Sequence, residues 1–284
     1  MLACFKTRTM TRTDLATAIS WAAREGWNPG DDDLDAFHAV DPDGFFIRED
    51  QDRNPVSVIS AVRYGDSFGF IGFYICHPDH RGSGHGWAIW QHAMTFLDRR
   101  TIGLDGVIDQ QANYAKSGFE FAHRNIRNEG ISQVDTPVDP RISPLGRGLL
   151  PSLRAYDDGF FPEPRHRFLE GWASPGHPTR RGFAFVEDGT ITGYGVIRKC
   201  SEGYKIGPLF AETEQAADIL FRALAGQVEG QTVILDTPEP NAPALALAER
   251  YELSPSFETA RMYRGNAPTL PLERIFGITT FELG

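Results

Sequence analysis

"CHPDHRGSGHGWAIW" (residues 76–90) sets glycine at alternate positions, Gly82, Gly84 and Gly86, between an X-Pro dipeptide and what reads as the start of a helix. The stretch before it, "FGFIGFYICHP" (68–78), reads as a strand, and beyond it Trp87, Trp90, Gln91, Met94 and Leu97 present one helical face. A helix entered directly from a strand leaves its first N–H groups without intrahelical partners. Those donors, with the positive end of the helix dipole, suit an anion, most often a phosphate. Glycine adopts left-handed angles and lets a ligand approach the backbone without a Cβ in the way. The loop is therefore read as a grip for a pyrophosphate.

Two better-known phosphate loops do not fit. A Walker A loop needs Lys and Ser or Thr after its last glycine, and neither follows Gly86. A dinucleotide-binding fingerprint needs G-x-G-x-x-G after the first strand of a parallel unit, whereas "GSGHG" has another spacing and follows an antiparallel meander. A nucleotide-dependent hydrolase would need metal-ligand carboxylates beside the loop, and only Asp79 is close, so no metal is expected.

Working outward from the loop, a helix around Leu15, Ile19, Ala22 and Ala23, with Thr11 or Thr13 as N-cap, precedes a second over Asp31 to His38. "GFFIRED", "VSVISAVRYG" and "FGFIGFYICHP" form a three-strand meander. After the loop and its helix come the strand "GLDGVID", the helix "QQANYAKSG" and the strand "FEFAHRNIRNEG". A Pro, Asp and Gly-rich stretch then breaks the pattern, and the same order restarts: helices "LLPSLRAYD" and "PRHRFLEGWA", strands "GFAFVEDG", "TITGYGVIRKC" and "YKIGPLF", the long helix "TEQAADILFRALAG", the strand "TVILDTP", the helix "NAPALALAERY" and the strand "FETARMYRG". The ending "RIFGITTFELG" alternates like one more strand. Two halves with one order of elements point to an internal duplication, divided as residues 1–130, a linker at 131–141, and 142–284.

A chain of 284 residues, 41% hydrophobic and 23% charged, fits two ordinary globular units. Its net charge of −10 argues against nucleic acid, since phosphate contacts need a basic face. No apolar run reaches the ~18 residues of a membrane span. Cys4, Cys76 and Cys200 are few, scattered and odd in number, which fits a reducing compartment, so a cytoplasmic location is expected.

"ICHPDHRGSGHGWAIWQHAM" resembles the acyl-CoA signature of the GNAT superfamily of N-acyltransferases, with Arg81, Gly84 and Gly86 in the places of [Q/R]-x-x-G-x-[G/A]. "NYAKSGFEF" resembles the family's second signature through Tyr114, Lys116, Gly118 and Phe119. The second half is similar but degenerate, because "YKIGPLFAETEQAADIL" lacks the glycines. The resemblance implies an α/β (α+β) fold of two tandem GNAT-like units, each a mixed, mostly antiparallel sheet flanked by helices. It also implies transfer of an acetyl group from acetyl-CoA to a primary amine of a small acceptor. A non-catalytic CoA-binding or sensor protein is the alternative.

On that resemblance, Arg81, Gly82, Ser83, Gly84, His85, Gly86 and Trp87 hold the pyrophosphate, and Tyr74, Ile75 and Cys76 pair with pantetheine. Asn113 and Lys116 add donor contacts, and Tyr114 protonates the departing thiolate. The family's strand-borne Glu is missing, leaving His77, His85, Asp109 or a water as base, and of these His77 is taken as the base. Trp27 and Phe45 are placed near the acceptor groove. Tyr204, Lys205, Asp236 and Glu239 are the polar groups to watch in the second half. Acceptor identity and oligomeric state are left open.

Overall fold

In the computed structural model, which describes residues 5–284, the first half runs β1 (Lys6–Thr9), α1 (Arg12–Arg24), α2 (Asp33–Val40), β2 (Phe45–Glu49), β3 (Pro55–Tyr64), β4 (Phe68–Cys76), α3 (His85–Phe96), β5 (Thr101–Val107), α4 (Gln111–Lys116) and β6 (Glu120–Ile131). The second runs β7 (Ile142–Pro144), α5 (Leu150–Asp157), α6 (His166–Trp172), β8 (Arg180–Glu187), β9 (Thr190–Lys199), β10 (Tyr204–Ala211), α7 (Glu214–Ala225), β11 (Thr232–Pro238), α8 (Ala242–Arg250), β12 (Ser254–Arg264) and β13 (Ile275–Gly277). Cys4 lies outside the described residues.

Local chemistry sets these elements. Thr11 caps α1 through a reciprocal capping box with Asp14, which satisfies two orphan donors, and the helix buries Leu15, Ala18, Trp21 and Ala22. Every residue of β3 from Val56 to Val62 is buried, as expected of a central strand covered on both faces. Strand β1 escapes the sequence reading because "KTRT" has no apolar alternation; it pairs with β2 at the sheet edge from Lys6↔Glu49 to Thr9↔Phe46.

The expected mixed, mostly antiparallel architecture is present, with two parallel junctions, β4–β5 and β10–β11. Strand order adds something the elements alone do not show. The halves share one sheet, β1-β2-β3-β4-β5-β12-β6-β11-β10-β9-β8-β7, so each half's closing strand sits inside the other's sheet. β12 pairs with β5 from Thr259↔Val107 to Arg264↔Ile102, and β6 pairs with β11 from Asn125↔Pro238 to Ile131↔Thr232. Aromatic packing follows the exchange: Phe37 of α2 stacks on Trp172 of α6 with ring centroids 6.0 Å apart.

Each parallel junction opens into a V. β4 and β5 pair only from Phe68↔Thr101 to Ile71↔Leu104. Between Ile75 and Gly72, β4 carries one residue more than its partner β3, a bulge at which Phe73 takes φ +48° and which bends the strand where the V opens. The second V, beyond Ile206↔Leu235, is filled by β13, which pairs with β10 through Leu209↔Gly277 and Phe210↔Ile275.

The ending read as a strand pairs only over β13. Residues 278–284 leave the ladder because side chains and backbone from both halves satisfy them instead. The Ile278 N–H donates to the Asp236 carbonyl (2.9 Å), Arg165 Nη1 to Thr279 Oγ1 (2.9 Å) and the Tyr64 hydroxyl to the Leu283 carbonyl (2.8 Å).

Candidate active site

The glycine loop has the local geometry its composition demands. Gly82 and Gly84 take φ +76° and +82°, and a Cβ at either would meet nothing within 4 Å. Gly86 has another reason to be glycine: it lies inside α3, and a Cβ there would sit 3.0 Å from the Tyr74 hydroxyl. The N–H groups of residues 82–87 donate to no backbone carbonyl among the described residues, and the first such bond of α3 runs from Ala88 to Gly84. With the Gly86 N–H turned to the Cys76 thiol, the other five donors at the positive end of a twelve-residue helix form an anion cradle open to solvent.

The cradle leads into the V between β4 and β5, a cavity of about 680 Å³. Tyr74, Ile75, Cys76, Arg81, Gly82, Gly84, Gly86, Trp87 and Tyr114 all line it. Past Ile71 the edge of β4 facing β5 has no strand partner among the described residues, which leaves its backbone available to an extended chain. Tyr114 reaches the cavity because residue 106 is glycine; a Cβ there would overlap the Tyr114 ring. Burial pushes the Tyr114 phenol well above its ordinary value, and it also lifts Tyr74 to about 12 and raises the Cys76 thiol. A phenol held neutral is a proton donor at every ordinary pH.

The other predicted residues lie at the rim of the cavity or away from it. Arg81 spans the rim, its Nε donating to the Cys76 carbonyl (3.0 Å) and its other end paired with Glu25. Ser83 is exposed, as are Asn113 and Lys116, which bond each other at 3.0 Å. His85 receives the Arg48 Nε–H (3.3 Å), and its pKa is lowered by burial and by Arg48. The His77 ring packs 5.3 Å from that of Trp21, and neither histidine is among the lining residues. Asp109 is an exposed residue at the rim. Trp27 lines the cavity, whereas Phe45 is fully buried in the core.

The sequence reading missed the contribution of the second half to this cavity. Strand exchange brings Phe257 and Thr259 of β12 to one wall, and the final segment brings Phe281 and Glu282 to another. Beside them is a buried charged cluster. Arg127 binds Asp236 through two bonds of 2.8 and 2.9 Å and donates to the Trp27 carbonyl (3.1 Å), while Lys205 Nζ donates to the Asn28 carbonyl (2.9 Å). Asp105, also on the cavity wall, is saturated by Arg261 (2.8 and 2.6 Å) and Asn125 (2.8 Å). Both oxygens of Glu282, by contrast, have no partner among the described residues. No helix among the described residues is long and apolar enough to cross a membrane.

The profile described as "Acetyltransferase (GNAT) family" matches residues 12–119, and that described as "Acetyltransferase (GNAT) domain" matches residues 153–277. The holothin acyltransferase of Pseudoalteromonas sp. (strain SANK 73390) is 32% identical over 267 residues, 93% of this chain and 89% of that protein. A Pyrococcus horikoshii protein described as a candidate acetyltransferase superposes with TM-score 0.83 at 21% identity, covering 99% of this chain and 96% of its own. A tandem GNAT protein from the clavulanic acid biosynthesis pathway superposes with TM-score 0.62 at 14% identity, covering 93% and 100%.

Proposed function

This chain belongs to the GNAT family of acyltransferases, and on that premise we propose that it moves an acetyl group from acetyl-CoA directly to a primary amine of a small acceptor. One observation carries the reading: an open V between parallel strands joins a cradle of N–H groups that bond no backbone carbonyl, with a neutral tyrosine lining the same cavity. Acetyl-CoA as substrate supplies an acyl thioester and a pyrophosphate. The N–H groups of residues 82–87 hold the pyrophosphate, and the free edge of β4 at Tyr74, Ile75 and Cys76 aligns the extended arm. Tyr114 gives its hydroxyl proton to the departing sulfur. On this reading residues 1–130 supply the donor site and 142–284 the acceptor wall, joined through 131–141, in a cytoplasmic enzyme.

The acceptor side carries the aromatic rings of Trp27, Phe257 and Phe281, with Thr259 and Glu282 as polar groups beside them. Such walls suit a flat acceptor that carries an amine. Holothin, which gives the 32% identical relative its name, is the first acceptor to test.

The experiment is calorimetric titration of acetyl-CoA, followed by thiol release with holothin and a panel of primary amines. Saturable binding and turnover are expected; absence of both overturns the proposal. In the same assay Tyr114→Phe is expected to lower kcat about 10- to 100-fold, at or below the low end for general acids because a thiolate leaves readily. Its acetyl-CoA affinity should stay unchanged, and full turnover by the variant would remove the role given to Tyr114.

A further inference from the structure

We propose that Glu282 is the catalytic base of this site, so that the end of the second half completes an active centre built on the first. The inference rests on the acyl-transfer reading above. Glu282 lines the cavity, is 2% exposed, and neither carboxylate oxygen has a hydrogen-bond partner among the described residues. A buried carboxylate without a partner costs several kcal/mol in general, so it persists where something outside the protein completes it. An acceptor amine, which must lose a proton to react, has the donor chemistry that is missing.

The other carboxylates at the cavity are already engaged or face water. Asp105 is filled by Arg261 and Asn125, Glu25 holds Arg81, and Asp109 is exposed. Among the cations around Glu282, Arg127 is held by Asp236 and Lys205 by a carbonyl, while Arg198 bonds Asp33 through Nε and the Thr279 carbonyl through Nη1 and keeps Nη2 without a partner among the described residues. They still act on Glu282 as charges without bonding it. Against the burial that pulls Arg127 and Arg198 down, neighbouring carboxylates, with Glu282 among them, hold both above their ordinary value. Arg127 of β6, Arg198 of β9, Cys200, Lys205 of β10 and Asp236 of β11 are the titratable groups around it.

The backbone fixes where this carboxylate sits. A Cβ on Gly72 would overlap the Glu282 carbonyl oxygen, so glycine in β4 is what lets the segment lie against the strand. Thr279 and Leu283, on either side, are tied by Arg165 of the second half and Tyr64 of the first. In the step, the Glu282 carboxylate takes one proton from the amine nitrogen, whose lone pair forms the C–N bond. The C–S bond breaks, and the sulfur takes the proton of Tyr114. Glu282 then releases its proton to water, Tyr114 regains one, and the products are an amide and a free thiol.

The test compares Glu282→Gln, which keeps shape and removes basicity, with Glu282→Asp, using the donor and acceptor of the turnover assay. Glu282→Gln is expected to lower kcat about 100-fold, within the range of general-base contributions. It should also lose the acid limb of the pH profile and bind acetyl-CoA within threefold of the parent. Glu282→Asp should keep that limb at reduced kcat, which keeps the test decisive if the Gln variant does not fold. An unchanged acid limb in Glu282→Gln, or equal losses of kcat and acetyl-CoA affinity, overturns the assignment. Absence of turnover in the parent protein would instead sink the acyl-transfer reading itself.

Discussion

Asp33→Ala is expected to destabilise the folded chain by about 3–5 kcal/mol, the usual cost of leaving buried cations without their counter-ion. Asp33 is 1% exposed at the start of α2 and faces two guanidiniums of the second half, Arg180 of β8 at 3.3 Å and Arg198 of β9 at 3.2 Å. It also accepts the Gly30 N–H at 2.8 Å. Both guanidiniums lie 4.6 Å from the Trp172 ring, whose Nε1 donates to the Gly207 carbonyl at 2.9 Å. Removing the carboxylate leaves two charges in a site from which water is excluded. The attraction to one aromatic face offsets only part of that cost, about 2 kcal/mol for a desolvated pair.

Urea denaturation checks the magnitude, and a compensated variant checks the cause. If uncompensated charge is what destabilises, Asp33→Ala combined with Arg180→Met and Arg198→Met should recover most of the loss, because a buried ionic cluster replaced whole by apolar groups is close to neutral. A loss under about 1 kcal/mol for the single variant would mean that the guanidiniums find water or another acceptor.

This cluster marks the limit of what the sequence made legible. Periodicity located nearly every element, because apolar alternation and helical spacing are local: β3 was visible in its run of β-branched residues, and α3 in its helical spacing, although the face α3 buries is Ile89, Trp90 and Ala93 while Trp87 and Gln91 are exposed. Pairing between distant strands is not local. Nothing in "FETARMYRG" says that β12 lies between β5 and β6, since either half's final strand offers the same alternation to either sheet. The short β1 and the end of the chain were missed or misread for a related reason. "KTRT" is an edge strand without a buried face, and "ITTFEL" alternates although it pairs with no ladder.

Legibility of the site divides the same way. The glycine loop, Tyr74 to Cys76 and Tyr114 are drawn together by one strand–loop–helix unit and the strand and short helix that follow, β5 and α4, so local motifs carry them. Glu282 lies 206 positions beyond Cys76 in a stretch with no motif (282 minus 76), and only the strand exchange and the fit against Gly72 bring it to the cavity. The one legible hint was negative: β4, "FGFIGFYIC", has no carboxylate of its own. The second half's degenerate loop likewise gains a physical meaning from the structure, because β13 occupies the V that stays open in the first half.

Gly84→Glu is expected to weaken acetyl-CoA binding at least about 1000-fold, or roughly 4 kcal/mol, while leaving the protein folded. Gly84 is the N-cap of α3 at φ +82°, and the space beside it is open. A side chain there brings the strain of a left-handed residue, about 1–2 kcal/mol, and no clash. A carboxylate at that point is favourable to the helix dipole and offers the orphan N–H groups an internal acceptor. The same carboxylate repels a pyrophosphate and competes for its donors, each charge-assisted bond being worth about 1.5–3 kcal/mol. Gly84→Ala separates the two effects, since it carries the strain without the charge and should lose about tenfold or less. A donor without the pyrophosphate, acetyl-pantetheine, should be turned over equally by the parent and by Gly84→Glu. Tight acetyl-CoA binding by Gly84→Glu would show that the cradle does not hold the donor, and unequal turnover of acetyl-pantetheine would show that the substitution disturbs more than the cradle.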